Sequence, residues 1–272
     1  MINTIHLFEP LDKKLIGLLR SLSPAEWEKP TVASQWNVKD VAAHLLDGNL
    51  RTISSQRDHY RGINAGPINS FGDLVDFLNG LNAGWVNAMK RVSPAVLIEW
   101  LETSGREYSA LMAAADLQGP APFSVAWAGE ETSANWFHIA REYTEKWHHQ
   151  QQIRDAVGKP GIMTQEYYYP VLDTFMMALP HTYRNTPAVK GSVVQITISG
   201  EGGGDWFLVR NDQWVLSKNN TSLVTAHTTI DGSVAWKLFT KSWRRNEVAP
   251  YITMEGDKRL AEVVLDMIAV MA

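Results

Sequence analysis

The chain contains no cysteine, which excludes disulfides, thiolate metal ligands and a nucleophilic thiol carried by the protein itself. Any metal ion must therefore rest on His, Asp or Glu, and any thiol chemistry must be brought in by a small molecule. Positive charge is not in excess either: 25 Lys and Arg against 29 Asp and Glu leave a net charge of -4 and a pI near 6.1. Nucleic-acid binding needs a basic face that displaces counterions, so nucleic acid is not an expected partner. No run of about 18 apolar residues offers a bilayer span. The opening MINTIHLFEPLDKK also lacks the basic start and apolar core of a signal peptide. The expectation is a cytoplasmic protein with no membrane partner, acting as a monomer or homodimer.

What is present suits a globular protein. With 272 residues, 45% hydrophobic and 20% charged, the chain can bury one large core or two moderate ones, and the pattern favours two. The 11 tryptophans are spread over both halves and read mainly as core or cleft walls, because large rings bury much apolar area.

Helical periodicity fills the first part. Leu11, Leu15, Leu18, Leu19 and Leu22 define a first amphipathic helix. Ser23-Pro24-Ala25-Glu26 has the form of a capping box with Pro at the first helical position. Asn37 caps, and Asp40 sits in the first turn of, a long helix running to about Tyr60 that carries His44. A Gly/Asn/Pro loop, RGINAGPINSFGD, leads to helical pattern from Phe71 to Val92 and from Pro94 to Ala115. A further long helix, about Ser133 to Val157, is stopped by Gly158 and Pro160 and carries Glu145, His148 and His149. Tyr167 to Leu179 reads as one more helix.

Beyond Lys190 the period becomes alternating. SVVQITISG, DWFLVRN, QWVLSKN and LVTAHTTID read as short strands, with hairpin turns at GGGD and at Asn211-Asp212. SVAWKLFTK is then a helix, YITMEG a last strand, and Asp257 the cap of a helix KRLAEVVLDMIAVM. The expected division is a helical bundle over residues 1–185 and a small α+β domain over 186–272. Gly202-Gly203-Gly204 lacks the following lysine of a phosphate loop and reads as a turn.

The chemistry-bearing residues gather on one helix. Glu145 and His149 lie about 40° apart on neighbouring turns and can reach one ion. His138, Glu142 and Gln152 fall within about 60° of Glu145, so the stripe is polar and rich in groups able to coordinate. His148 lies about 60° to the other side of Glu145, and periodicity alone does not choose between the two histidines. A catalytic site usually takes three protein ligands, so a third must come from another helix. His44, amid Val41, Ala42, Ala43, Leu45 and Leu46, is the candidate. By spacing alone a core histidine satisfied by a carbonyl or carboxylate outweighs a ligand there, and Glu145 with His149 could be a solvated helical pair. His138 could orient Glu145 or a water. His59 is too far along its helix from His44 to share an ion, and His6, His181 and His227 have no supporting pattern.

The segments WNVKDVAAHLLDG and REYTEKWHHQQQIRDAVG resemble the DinB-like superfamily, specifically its mycothiol-dependent maleylpyruvate isomerase branch. There, Trp, Val and His at the spacing of Trp36, Val41 and His44 supply one ligand. The second motif lands on Glu145, Trp147, His149 and Asp155-Ala156-Val157-Gly158, with Arg141 one place off. The resemblance implies a DinB-like four-helix bundle and a metal triad of His44, Glu145 and His149, selecting His149 over His148. The family often has an acidic residue where this chain has Gln152, and a neutral amide cannot act as a base there.

DGSVAWKLFTKSWRR and YITMEGDKRLAEVVLDMI resemble the branch's second, sterol-carrier-like α+β domain, which lends basic residues for a carboxylate substrate. Arg244 and Arg245 are the candidates for that catalytic role, with Lys241 in the same patch; a solvated surface patch is the alternative. The implied cofactors are a divalent ion of the zinc or nickel type and mycothiol, bacillithiol or another low-molecular-weight thiol. The implied partner is a small electrophile. The implied activity is thiol S-transfer, or cis–trans isomerisation of the maleylpyruvate type. A metal-dependent hydrolase and a non-catalytic metal- or ligand-binding protein are the alternatives.

Overall fold

The computed structural model describes residues 1–63 and 66–270, the side chain of Phe71 excepted. Asn64 and Ala65 of the expected Gly/Asn/Pro loop, Met271 at the end of the expected C-terminal helix, and Ala272 lie outside the described residues. Two compact units result. One comprises Thr4–Asp116 with Glu145–Pro160; the other comprises Met1–Asn3, Leu117–Thr144 and Gly161–Ala272.

The first unit is helical: α1 (Phe8–Arg20), α2 (Pro24–Trp27), α3 (Val38–Thr52), α4 (Phe71–Met89), α5 (Pro94–Ala113) and the later part of α6 (Asn135–Val157). The helix starts are fixed by local chemistry. Glu26 N–H donates to Ser23 Oγ while Glu26 Oε2 accepts from Ser23 N–H at 2.7 Å. The same reciprocal box joins Asn37 to Asp40 and Ser70 to Asp73, so each helix begins with two orphan N–H groups satisfied. α3 ends in a π turn, Ile53–Arg57, rather than continuing to Tyr60.

The core of this unit packs Leu15, Leu19, Val41, Leu45, Leu97 and Leu101, among others, against Ile153 and Val157. Helices α1, α3 and α5 thus close on the end of α6. Trp85 of α4 donates its indole N–H to the carbonyl of Ala43, 2.9 Å away, tying α4 to α3. α6 stops where Gly158 takes a φ of +68°, a left-handed turn that a side chain would resist.

The second unit holds the start of α6, then α7 (Tyr169–Met176) and α8 (Leu179–Tyr183), two helices where the sequence pattern gave one. Its sheet has strands β1 (Val193–Ile198), β2 (Gly204–Arg210), β3 (Trp214–Ser217), β4 (Ala226–Ile230) and β5 (Ile252–Gly256) in the order β3-β2-β1-β4-β5. β1 and β4 run parallel, with Val194 opposite Ala226, and the other pairings are antiparallel. α9 (Gly232–Phe239) and α10 (Arg245–Val248) connect β4 to its antiparallel neighbour β5, and α11 (Lys258–Ala261) follows β5. The fold class is therefore α plus α+β, a helical N-terminal region followed by a mixed sheet.

One expected element is shorter than its pattern. Asp257 does cap, accepting from the N–H groups of Arg259 and Leu260, but the α-helix ends at Ala261 and gives way to a 3-10 turn, Glu262–Asp266. Met267 then turns extended, and Ala269 donates its N–H to the carbonyl of Phe239 while its side chain is buried. That tertiary hydrogen bond and the burial of Met267 and Val270 override the helical propensity of the segment. Among the described residues, no helix is long and apolar enough to cross a membrane.

Candidate metal centre

His44 projects from a helix whose other nearby side chains, Val41, Ala42, Ala43, Leu45 and Leu46, are buried. Its ring lies 4.8 Å from that of Trp36 and 4.6 Å from that of His149, the latter edge to face. Its Nδ1 is buried and has no hydrogen-bond partner among the described residues. On α6, Glu145, His148 and His149 each offer a ligand atom, all within 4.8 Å of one another. Glu145 Oε2 is 3.6 Å from His149 Nε2. Gln152 touches both histidines: its Oε1 is 2.9 Å from His149 Nδ1, and its Nε2 is 3.1 Å from His148 Nε2. The grouping these distances define is Glu145, His148 and His149, and His44 adjoins it through the ring of His149.

The electrostatics suit coordination. Burial holds the pKa of His44 well below the ordinary imidazole value, helped by the neighbouring His149 and Arg51. Burial does the same to His148, with His149 and His44 adding to the effect. His149 is lowered by burial too, against the hydrogen bond with Gln152, which raises it. All three are therefore neutral near pH 7, with lone pairs available, and a neutral imidazole is the form that binds a metal. Neutral imidazoles beside one carboxylate form a donor set that fits a first-row divalent ion, and the partnerless His44 Nδ1 is the kind of atom such an ion would satisfy.

α6 is anchored where it carries these residues. Lys146, buried, donates to Asp12 of α1 at 3.1 and 3.2 Å and to Asn49 Oδ1 of α3 at 2.8 Å, and lies over the Tyr108 ring of α5. Arg154 donates to the carbonyls of Lys14, Lys159 and Pro160. These bonds fix the rotation of α6 against α1 and α3, and hence the direction of Glu145 and His149.

Residues from the wider stripe are engaged differently. His138 Nδ1 lies 2.8 Å from Arg141, whose guanidinium also meets Glu142 at 2.5 Å. Burial lowers the pKa of His138 to about 4, against the raising effect of Glu142. Arg244 and Arg245 are exposed and belong to the other compact unit. Arg244 gives its backbone N–H to Glu247, while Arg245 binds the carbonyl of Glu262 at 2.9 Å and Asp266 at 3.3 Å. Lys241 is exposed at the end of α9 with a φ of +57°. His227 joins Thr197 and Asp205 in a polar row on the sheet, and His181 packs against Gly129. Gly202 and Gly203 lie in the β1–β2 turn and Gly204 opens β2.

Sequence reasoning missed Lys146, which gave no signal beyond lying between the buried Tyr143 and Trp147. It placed Gln152 on the ligand stripe and at the family's often acidic position, but the contacts of Gln152 with both histidines need coordinates.

Fold and site define a protein with a helical unit carrying a candidate His/Glu centre and a mixed-sheet unit. Residues 8–154, more than half of the chain, match the Mycothiol maleylpyruvate isomerase N-terminal domain, and the chain belongs to that family. Two crystal structures of mycothiol-dependent maleylpyruvate isomerase, one of them a histidine-to-alanine mutant, share the fold. Their TM-scores are 0.54 and 0.52, each at 10% identity, covering 92% of this chain and 91% of theirs. Comparison with curated protein sequences gives no match.

Proposed function

We propose that this protein is a divalent-metal-dependent enzyme that uses a low-molecular-weight thiol on a small electrophile, with His44, Glu145 and His149 as the ligands. The observation that carries the reading is the His44–His149 ring contact at 4.6 Å, made by an imidazole whose buried Nδ1 lacks a hydrogen-bond partner among the described residues, with the Glu145 carboxylate 3.6 Å from His149 Nε2. A buried polar atom left unsatisfied costs about 1–3 kcal/mol, which an ion at that position would recover. A zinc- or nickel-type ion supplies one thing when bound: it lowers the pKa of a thiol so that the thiolate is available near neutral pH.

The chain's own residues set the conditions for that chemistry. Two neutral imidazoles and one carboxylate leave a divalent centre with residual positive charge, which favours an anionic sulfur. Trp36 covers one side of His44 and limits water there. Glu145 is more accessible than His149, 35% against 13% exposed at the side chain, so the centre is more open on the Glu145 side than on the His149 side. Arg244 and Arg245 are proposed to pair with a carboxylate of the substrate. The division into a metal-binding domain, 1–185, and a second domain, 186–272, belongs to the same proposal as a statement of sequence organisation.

Family membership supports mycothiol as the thiol, and the solved relatives, named for maleylpyruvate, support an unsaturated acid as the electrophile. The reading covers a cis–trans isomerase and a thiol S-transferase, which differ in whether the product contains sulfur. The test is elemental analysis of protein purified without a metal-affinity tag, for wild type beside His44→Ala. About one ion per chain, lost in the variant, is expected. Wild type that takes up neither Zn²⁺ nor Ni²⁺ would overturn the reading. Given an ion, mycothiol should perturb the visible spectrum of the cobalt-substituted protein, and the product mass distinguishes isomerase from transferase.

A further inference from the structure

Gln152 is buried, 4% exposed, and follows both His148 and His149 within about one turn of α6. A carboxamide carries an acceptor and a donor at one end, and here each meets a different ring. The carbonyl oxygen, 2.9 Å from His149 Nδ1, can only accept, so the His149 proton resides on Nδ1. The amide nitrogen, 3.1 Å from His148 Nε2, can only donate, so His148 Nε2 is bare and already used as an acceptor. The two rings are thereby given the same tautomer with opposite availability at Nε2. His149 Nε2, bare and not engaged by the amide, is the atom that faces Glu145 Oε2 at 3.6 Å.

Turning the amide over would exchange these roles. His149 would then direct an N–H at Glu145 across 3.6 Å, too long for a good hydrogen bond, and its lone pair would be spent on the amide at Nδ1. The orientation observed leaves that lone pair open. We infer that Gln152 is a positioning residue that fixes the tautomers of both histidines, leaving His149 Nε2 open and occupying His148 Nε2. That this selects His149 over His148 as a metal donor rests on the function proposed above; the tautomer assignment itself needs no ion.

Replacement chemistry follows from the donor count. Glu at this position has two acceptor oxygens, so His149 keeps its proton on Nδ1 while His148 must move its proton to Nε2. Leu offers neither, and both rings revert to the ordinary preference for a proton on Nε2.

The experiment uses the full-length, metal-free protein with ¹⁵N-labelled histidine, read by long-range ¹H–¹⁵N correlation at pH 7.5 as a working condition in the neutral range of these rings. Single His148→Gln and His149→Gln variants assign the signals. Wild type is expected to show Nδ1–H for both rings, Q152L Nε2–H for both, and Q152E the switch at His148 alone. A wild-type His149 protonated on Nε2, or tautomers unchanged in Q152L and Q152E, would overturn the inference. Should Q152L not fold, the His148 switch in Q152E decides. Zinc titration of the same samples separates the two ideas. An about 10- to 100-fold loss of affinity in Q152L, with Q152E close to wild type, supports both. Absence of zinc binding in wild type with the expected tautomers sinks the metal reading and leaves the role of Gln152 standing.

Discussion

The imidazole of His44 on α3 meets that of His149 on α6 edge to face, with ring centroids 4.6 Å apart. Two helices far apart in sequence therefore bring their imidazoles together, and on α6 the Glu145 carboxylate lies 3.6 Å from His149 Nε2. Helix α6 also brings His148 there, so the choice between neighbouring histidines is open to direct measurement.

His149→Ala is expected to weaken zinc binding by more than about 100-fold, and His148→Ala by no more than about 10-fold, the lower end of what loss of an outer contact costs. Competition against a chromophoric chelator measures both. Equal losses in the two variants would contradict the assignment of His149 as the ligand.

Acid should destabilise the protein in part through His138. Its pKa falls to about 4 in the folded chain against about 6.5 when unfolded. Between those values the unfolded chain binds the proton and the folded chain does not, so stability rises with pH across the window. The contribution is fully present above about pH 6.5 and is lost as pH falls through about 4, to the order of 3 kcal/mol. His138→Gln should flatten that part of the stability profile, measured by urea unfolding at successive pH values. A variant whose profile parallels wild type would remove His138 from the account.

The ion pair between buried Lys146 and partly buried Asp12 should show strong coupling. Asp12→Ala leaves an ammonium without its counter-charge, an arrangement that costs about 3–5 kcal/mol. Lys146→Met added to it removes the stranded charge and should restore much of the loss. Denaturant unfolding of the single and double variants reads the coupling directly; additive effects would mean the two groups do not depend on one another.

Asn37→Ala removes the side chain that accepts from Asp40 N–H at 2.9 Å and should cost about 1 kcal/mol. Because the packing around His44 is set by the apolar residues of α3, zinc affinity should stay near that of wild type. A large loss of affinity with unchanged stability would mean that the start of α3 positions His44 more directly than its core contacts do.

Much of this architecture is written locally. The caps at Ser23 and Asn37, the periodic leucines of α1 and the alternating strands depend on neighbours a few residues away, and such signals survive in a linear reading. Glu145 and His149 were legible for the same reason, one turn apart on one helix. The contact between His44 and His149 was not, because periodicity says which face a residue occupies and nothing about which helix that face meets; the family resemblance supplied the partner. The C-terminal segment shows the opposite failure. Its residues favour helix, yet the hydrogen bond from Ala269 to Phe239 and the burial of Met267 draw the chain out of it, a tertiary effect that no local pattern announces. Lys146 likewise looked like one more charged helical residue until Asp12 and Asn49 were found around it.

The parallel pairing of β1 with β4 has a consequence for how the molecule is made. Val194 can meet Ala226 only after the intervening strands β2 and β3 have emerged, whereas the helices and the β1–β2 hairpin form from near neighbours. Closing so distant a pair is slow compared with local structure, so sheet completion, not helix formation, should set the pace of refolding. During that interval one edge of β1 is unpaired, and a nascent chain held there exposes the edge most able to capture a second copy.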